Sequence, residues 1–224
     1  GGKTLCMIKD AQKQFNGCNW DVLVKECDRK TIVIVAPRIL LAQQLCNDFV
    51  KYLAKHPMLQ YRILHVHSGD TSHDNTTKSD IIKWWVGTNY RFNKLIFSTY
   101  HSLHKLQEAE IDVDTIYFDE AHNSVRSDFI EATEYYSIYA KRSYFFTATP
   151  RHSTTPMKIG MNDWDIYGDV IAQVPAPQLV QDGYILPPKV IIKEMEVVDD
   201  SRKKHEHDCA HLVATIDDTS VDKI

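Results

Sequence analysis

The sequence predicts an α/β fold, a doubly wound and mainly parallel sheet with helices on both faces. Three observations carry that expectation. Short β-branched or aromatic runs at Thr31–Ala36, Tyr61–Val66, 94–97, 115–118 and Ser143–Phe146 alternate with segments of helical periodicity, the rhythm of βαβ units. The run Thr31–Ala36 is almost continuously apolar, as in strands covered on both faces. Polar clusters follow these runs, at His67-Ser68-Gly69-Asp70, Ser98-Thr99-Tyr100-His101, Asp119-Glu120-Ala121-His122 and Thr147-Ala148-Thr149-Pro150. Open α/β sheets place their ligands at those carboxyl ends.

Taken in order, Gly1-Gly2-Lys3-Thr4 leads into Leu5, Cys6, Met7, Ile8 and Ala11, a helical start, and residues 12–30 read as polar and irregular with a turn at Asn16-Gly17. Pro37 stops the first strand. From Arg38 to about Ala54 the apolar positions Ile39, Leu40, Leu41, Leu45, Phe49, Val50 and Leu53 recur at helical spacing and predict an amphipathic helix packed on the sheet. Residues 71–80 read as a polar surface loop, and 81–86 as a short helix bearing Trp84 and Trp85. Those tryptophans suit helix packing better than base stacking. A short helix is expected from Ser102 to about Glu108 and a longer one over Ser127–Tyr139. Beyond Pro150 the pattern loosens. Turns at Tyr167-Gly168-Asp169 and Val174-Pro175-Ala176-Pro177 bracket a short strand. A short helix over 178–181 then ends at Gly183, another apolar run covers 190–192, and the tail from Val197 is charged.

Composition bounds the function classes. The chain has 224 residues, is 43% hydrophobic and 25% charged, and carries a formal net charge of −4. It is long enough for a sizeable core. Its mildly acidic balance supplies no global field for nucleic acid, so such binding would rest on local groups. No apolar run approaches the roughly 18–20 residues that span a bilayer, and no signal peptide opens the chain. A cytoplasmic protein without membrane contact is expected. The five cysteines (Cys6, Cys18, Cys27, Cys46 and Cys209) include no CxxC pair and read as reduced thiols. The ligand-rich segment His205-Glu206-His207-Asp208-Cys209-Ala210-His211 matches no structural zinc spacing. The absence of an initiator Met before Gly1 reads as a truncation.

Two motifs carry chemistry. A buried strand running into Asp119 and Glu120 places paired acids where one can hold a metal ion and the other can orient or deprotonate a water. Gly1, Gly2, Lys3 and Thr4 are the last four positions of G-x-x-x-x-G-K-[ST]. There the glycines admit phosphate, the lysine reaches the outer phosphates and the hydroxyl serves Mg²⁺. The bland alternatives are a solvated strand end for the acids, and helix or turn capping for Ser98, Thr99, Thr147 and Thr149. Arg38 sits at a helix start that disfavours a cation, which points to a bound anion.

In the order GKT, APR, DEAH and TATP, the sequence resembles the first RecA-like motor domain of superfamily 2 helicases and translocases. Within that group it is similar to the branch of type I and type III restriction-enzyme motor subunits and UvrB-like helicases. The resemblance covers residues 1 to about 195. It implies a RecA-like P-loop NTPase domain over residues 1–165 lacking its first strand. Residues 166–224 would then be the end of that domain and the start of a linker toward a missing second RecA-like domain. It implies ATP and Mg²⁺ as cofactors, bound by Gly1, Gly2, Lys3 and Thr4, with Thr4 and Asp119 at the metal. Glu120 would be the general base, and Asp119 and His122 would complete the catalytic set. His122 would couple to Thr147 and Thr149. Pro37, Arg38, Ser68, Gly69, Ser98, Thr99 and Tyr100 would contact a nucleic-acid backbone, DNA in preference to RNA, with Gln43 and Gln44 in the helix behind them. The implied function is an ATP-driven DNA helicase or translocase present as a fragment, weak or inactive alone because the second domain's arginine is missing. A non-catalytic nucleotide- or nucleic-acid-binding remnant and an RNA helicase domain are the alternatives.

Overall fold

Thr31–Ala36 forms β1, every residue of it buried, and the rest of the sheet is laid out around it. The structure, a computed structural model, describes residues 2–16, 29–155 and 157–187. The element order begins α1 (Lys3–Asn16), β1, α2 (Ile39–Leu53), β2 (Tyr61–Val66), β3 (Asp74–Asn75), α3 (Ser79–Thr88) and β4 (Asn93–Thr99). It continues with α4 (Leu103–Glu108), β5 (Thr115–Asp119), α5 (Ser127–Tyr139), β6 (Ser143–Phe146), α6 (Trp164–Tyr167) and α7 (Ala176–Gln181). Six strands pair in the order β3-β2-β4-β1-β5-β6, all parallel. All strand carboxyl ends therefore lie along one edge.

Alternation along each strand sorts the core into two layers. Val33, Val35, Leu64, Val66, Ile96, Ile116 and Phe118 pack against α3, α4 and α5 through Ile82, Trp85, Leu103, Leu106, Phe129 and Tyr136. The opposite residues, Ile32, Ile34, Ile63, Leu95, Phe97 and Tyr117, pack against α1 and α2 through Met7, Ala11, Phe15, Leu45 and Phe49. The sheet is thus covered on both faces, as its apolar strands require.

Several local expectations are corrected. Helix α1 continues to Asn16 where an irregular segment was expected from residue 12, because Met7, Ala11 and Phe15 recur every fourth residue and bury one stripe. In α2 the buried face is Ala42, Leu45, Cys46, Phe49 and Leu53, while Leu40 is 77% exposed. The polar stretch 71–80 contributes the short edge strand β3, pairing Leu64 with Asp74 and His65 with Asn75. Trp84 and Trp85 divide: Trp85 is buried and donates its indole N–H to Asp74 Oδ2 at 2.7 Å, whereas Trp84 is exposed. Between Tyr167 and Val174 the described residues form no strand.

By its internal contacts the chain separates into Gly1–Ile171 and Ala172–Ile224. The described part of the second unit is α7 and its cap. Gly183 adopts φ 74, and its N–H bonds Val180 O while Tyr184 N–H bonds Leu179 O, a Schellman closure that needs a left-handed residue at that point. The apolar run at 190–192, the charged tail and the ligand-rich segment 205–211 lie outside the described residues. No helix among the described residues is long and apolar enough to cross a membrane.

Candidate functional site

Helix α1 runs back along β5, and side chains pin it there. Tyr117 donates its hydroxyl proton to Asp10 Oδ2 at 2.5 Å. Gln14 Nε2 donates to that hydroxyl at 3.2 Å, and Thr115 Oγ1 donates to Gln14 Oε1 at 2.9 Å. Burial and the bond to Asp10 both push the Tyr117 phenol above its ordinary range, so it stays a donor. The opposite end of the helix, Gly2 to Thr4, is thereby held over the carboxyl end of β5. Gly2 has φ 94 and its carbonyl accepts from Cys6 N–H at 3.0 Å, a first turn that a residue with a Cβ would strain. Gly1 lies outside the described residues.

At that end Lys3 contacts both acids. Its Nζ donates to Glu120 Oε1 and lies 3.9 Å from Asp119 Oδ1. Burial pushes the Asp119 carboxyl up, and the Lys3 charge only partly offsets this. The strand end is turned by Glu120 itself, which sits at φ 46, ψ 52 in the left-handed region. That conformation costs a non-glycine residue about 1–2 kcal/mol, and such outliers gather where geometry serves a ligand. Asn123 Nδ2 bonds Glu120 O at 2.9 Å and Tyr100 Oη bonds Asp119 O at 3.0 Å, holding the turn from both sides.

His122 links this turn to the end of β6. Asn123 Nδ2 donates to its Nε2 at 3.3 Å, which assigns the ring proton to Nδ1. Nδ1 then faces Thr147 Oγ1 at 3.0 Å, Thr149 Oγ1 at 3.4 Å and Glu120 Oε2 at 3.5 Å. Thr147 Oγ1 also accepts from Thr149 N–H at 3.1 Å. The two threonines thus serve both the turn and the histidine. Ser124, buried after the same turn, bonds Tyr167 Oη at 2.8 Å, and Tyr167 packs edge-on to Phe145. No local signal marks Tyr167, Tyr117 or Asp10, because their partners lie 43 and 107 residues away.

The strand-end residues expected to face a nucleic acid separate into two sets. Arg38 and Ser68 are exposed, and Pro37 and Gly69 are half-buried. Gly69 approaches the start of α2 so closely that a Cβ would lie 2.5 Å from Ile39 Cγ2, which ties the two loops together. Behind them Gln43 Nε2 donates to Asp70 O at 2.5 Å. Ser98, Thr99 and Tyr100 are buried. The Ser98 hydroxyl donates within the backbone to Val66 O and Thr99 O, Thr99 Oγ1 donates to Ser102 Oγ, and Tyr100 donates to Asp119 O. Interior hydrogen bonds thus occupy the side chains of these three residues.

The carboxylates of Asp119 and Glu120, with Thr4 next in the chain to the Lys3 that bonds them, suit a hard cation such as Mg²⁺. A half-buried, partly uncompensated carboxylate beside a helix amino terminus suits a metal–phosphate pair.

A profile described as DEAD/DEAH box helicase matches residues 1–157. No curated protein matches. Among solved structures, a nuclease-deletion mutant of the Type ISP restriction-modification enzyme LlaGI, in complex with a DNA substrate mimic, is 22% identical with a TM-score of 0.63. The match covers 81% of this chain but 18% of that one. The Hef helicase domain of Pyrococcus furiosus is 20% identical, with a TM-score of 0.48 over 75% of this chain and 31% of that one. The chain therefore spans less than a third of each of these two structures.

Proposed function

Because the chain belongs to the DEAD/DEAH box helicase family, we propose that it is the ATP-binding motor domain of an ATP-dependent DNA helicase or translocase, working with a second RecA-like domain. The observation that carries this reading is the convergence of Lys3, Asp119 and Glu120 with the His122–Thr147 hydrogen bond.

In this reading Lys3 and the open N–H groups at the start of α1 bind the outer phosphates of ATP. Thr4 and Asp119 hold Mg²⁺, which when bound neutralises the charge that develops on the phosphates. Lys3 is bonded to Glu120 in the structure, so a phosphate that claims Lys3 releases the Glu120 carboxylate. Glu120 then accepts a proton from the attacking water, and Lys3 keeps its own proton throughout. His122 reports the change, because its Nδ1 proton is shared among Glu120, Thr147 and Thr149. Movement of Glu120 therefore shifts the end of β6. Arg38, Ser68 and the loop of Gly69 form the exposed rim at which a nucleic-acid backbone would lie. One arginine, a hydroxyl and backbone amides suit sequence-independent phosphate contact.

The test is ATP hydrolysis by the full-length protein with no polynucleotide, single-stranded DNA, duplex DNA or RNA. Stimulation by DNA above RNA is expected. Stimulation by RNA alone would move the protein to the RNA-directed class, and no hydrolysis under any condition would sink the motor reading.

A further inference from the structure

A second cluster lies under the edge of the sheet, away from the acids. Cys46 of α2, His65 of β2 and His73 of the loop before β3 each present a ligand atom, and these atoms lie within 4.8 Å of one another. Cys46 and His65 are each 1% exposed. Cys46 Sγ is 3.9 Å from His73 Nδ1, and the His65 and His73 rings stack with centroids 5.7 Å apart. A cavity of about 180 Å³ opens on the three, lined also by Gln43, Asn47 and Asp70.

The hydrogen-bond order inside the cluster leaves one valence open. Gly69 N–H donates to His67 Nδ1 at 3.1 Å, so the neutral His67 ring carries its proton on Nε2. That proton faces His65 Nδ1 at 2.9 Å, which puts the His65 proton on Nε2. His65 Nε2 is fully buried and has no hydrogen-bond partner. Buried polar atoms without partners are uncommon, and an ion is one of the ordinary reasons for them.

We propose that Cys46, His65 and His73 form a binding site for a borderline-soft divalent cation of the zinc type, with the fourth position open to the cavity. One thiolate and two imidazoles select such an ion over Mg²⁺ or Ca²⁺, which take oxygen donors. Zinc–sulfur and zinc–nitrogen bonds of about 2.3 and 2.0–2.1 Å put tetrahedral sulfur and nitrogen ligands about 3.5 Å apart. The observed 3.9 Å separation of Cys46 Sγ and His73 Nδ1 closes to that by small side-chain rotations. On binding, the Cys46 thiol gives its proton to solvent. A metal on His65 Nε2 also requires the His65 proton on Nδ1, donated to His67 Nε2. His67 then carries its own proton on Nδ1, where Gly69 N–H now points, so binding releases that Gly69 hydrogen bond. The ion is thereby linked to the loop of Ser68 and Gly69. This site does not depend on the motor reading.

The test is titration of the reduced, chelator-stripped full chain with Co²⁺, followed by Zn²⁺. One Co²⁺ per chain should bind, with thiolate-to-cobalt charge-transfer absorption and the intense ligand-field bands of a four-coordinate site, and Zn²⁺ should displace it. C46S should remove the charge-transfer band, and H67A should weaken binding by about 10- to 100-fold as loss of an orienting partner does. C209S, which alters the ligand-rich tail, should leave the spectrum unchanged. Absence of the band in the unaltered chain, its survival in C46S or its loss in C209S would overturn the proposal. Should C46S fail to fold, alkylation of the unaltered chain with and without Zn²⁺ decides. Protection mapped to Cys46 supports the site, and protection confined to another cysteine refutes it.

Discussion

The carboxyl ends of β5 and β2 both carry histidines, and the two regions handle them in opposite ways. At β5 the ring of His122 is half-buried, both its nitrogens are partnered, and a lysine and two carboxylates surround it. At β2 the rings of His65 and His67 are buried against each other, with no carboxylate bonded to either and one nitrogen left without a partner. Burial, reinforced by the neighbouring histidines, pushes the His65 imidazole down to about 4, and burial alone pushes the Cys46 thiol up to about 12. A charged, partly wet cluster exchanges partners readily and suits turnover. A cluster whose burial holds its groups neutral changes state only when an ion replaces a proton. The difference separates a site built to cycle from one built to hold.

The largest expected effect lies in the first region. Glu120→Gln in the full-length protein should lower ATP turnover by about 10²–10⁴-fold, the usual range for loss of a general base, while nucleotide affinity changes little. Equal losses of binding and turnover would erase the contrast between a cycling and a holding cluster. His122→Ala should leave basal hydrolysis within a few-fold and remove most of its stimulation by nucleic acid. Stimulation at the level of the unaltered protein would detach the histidine from coupling. Next comes the helix that carries Lys3. Tyr117→Phe deletes a hydrogen bond to the Asp10 carboxylate and should cost about 1–2 kcal/mol in urea unfolding, with α1 the first element to exchange its amide protons.

The smallest effect belongs to the second region. In chelator-treated protein His65 binds a proton less readily when folded than when unfolded, where imidazole titrates near 6.5. Below that pH the unfolded chain takes up more protons, so stability falls as pH drops from about 6.5 toward about 4 and this contribution levels off beneath it. His65→Gln should flatten that slope relative to the unaltered metal-free chain, whereas Zn²⁺ should steepen it because the bound ion keeps protons off the folded ligands, both read by urea midpoints across the window. An identical slope in His65→Gln would show that His65 does not sense acid.

Much of the sheet was legible because its signals are local. The runs at Thr31–Ala36, Tyr61–Val66 and Ser143–Phe146 and the helix at Ser127–Tyr139 coincide with the observed elements. Asp119, Glu120 and His122 were legible for the same reason, being contiguous. What stayed hidden depends on residues far apart in the chain. Cys46 meets His73 across 27 residues, and nothing in either neighbourhood marks it. The interior bonds of Ser98 and Tyr100 were equally hidden, because polarity at a strand end looks alike whether it faces solvent or satisfies a buried carbonyl. Leu40 was counted with the apolar positions of α2 yet points outward, since it lies two residues before Ala42 and so roughly 200° around the helix from the buried face of Ala42, Leu45, Cys46, Phe49 and Leu53.

In the proposed function Lys3 and the acids at the end of β5 form one nucleotide site. Its most direct test is equilibrium binding of a fluorescent ATP analogue to the full-length protein and its Lys3→Ala variant, with Mg²⁺ and with chelator. Mg²⁺-dependent binding that Lys3→Ala weakens by at least tenfold is expected. Affinity unchanged by both the substitution and the removal of Mg²⁺ would contradict it.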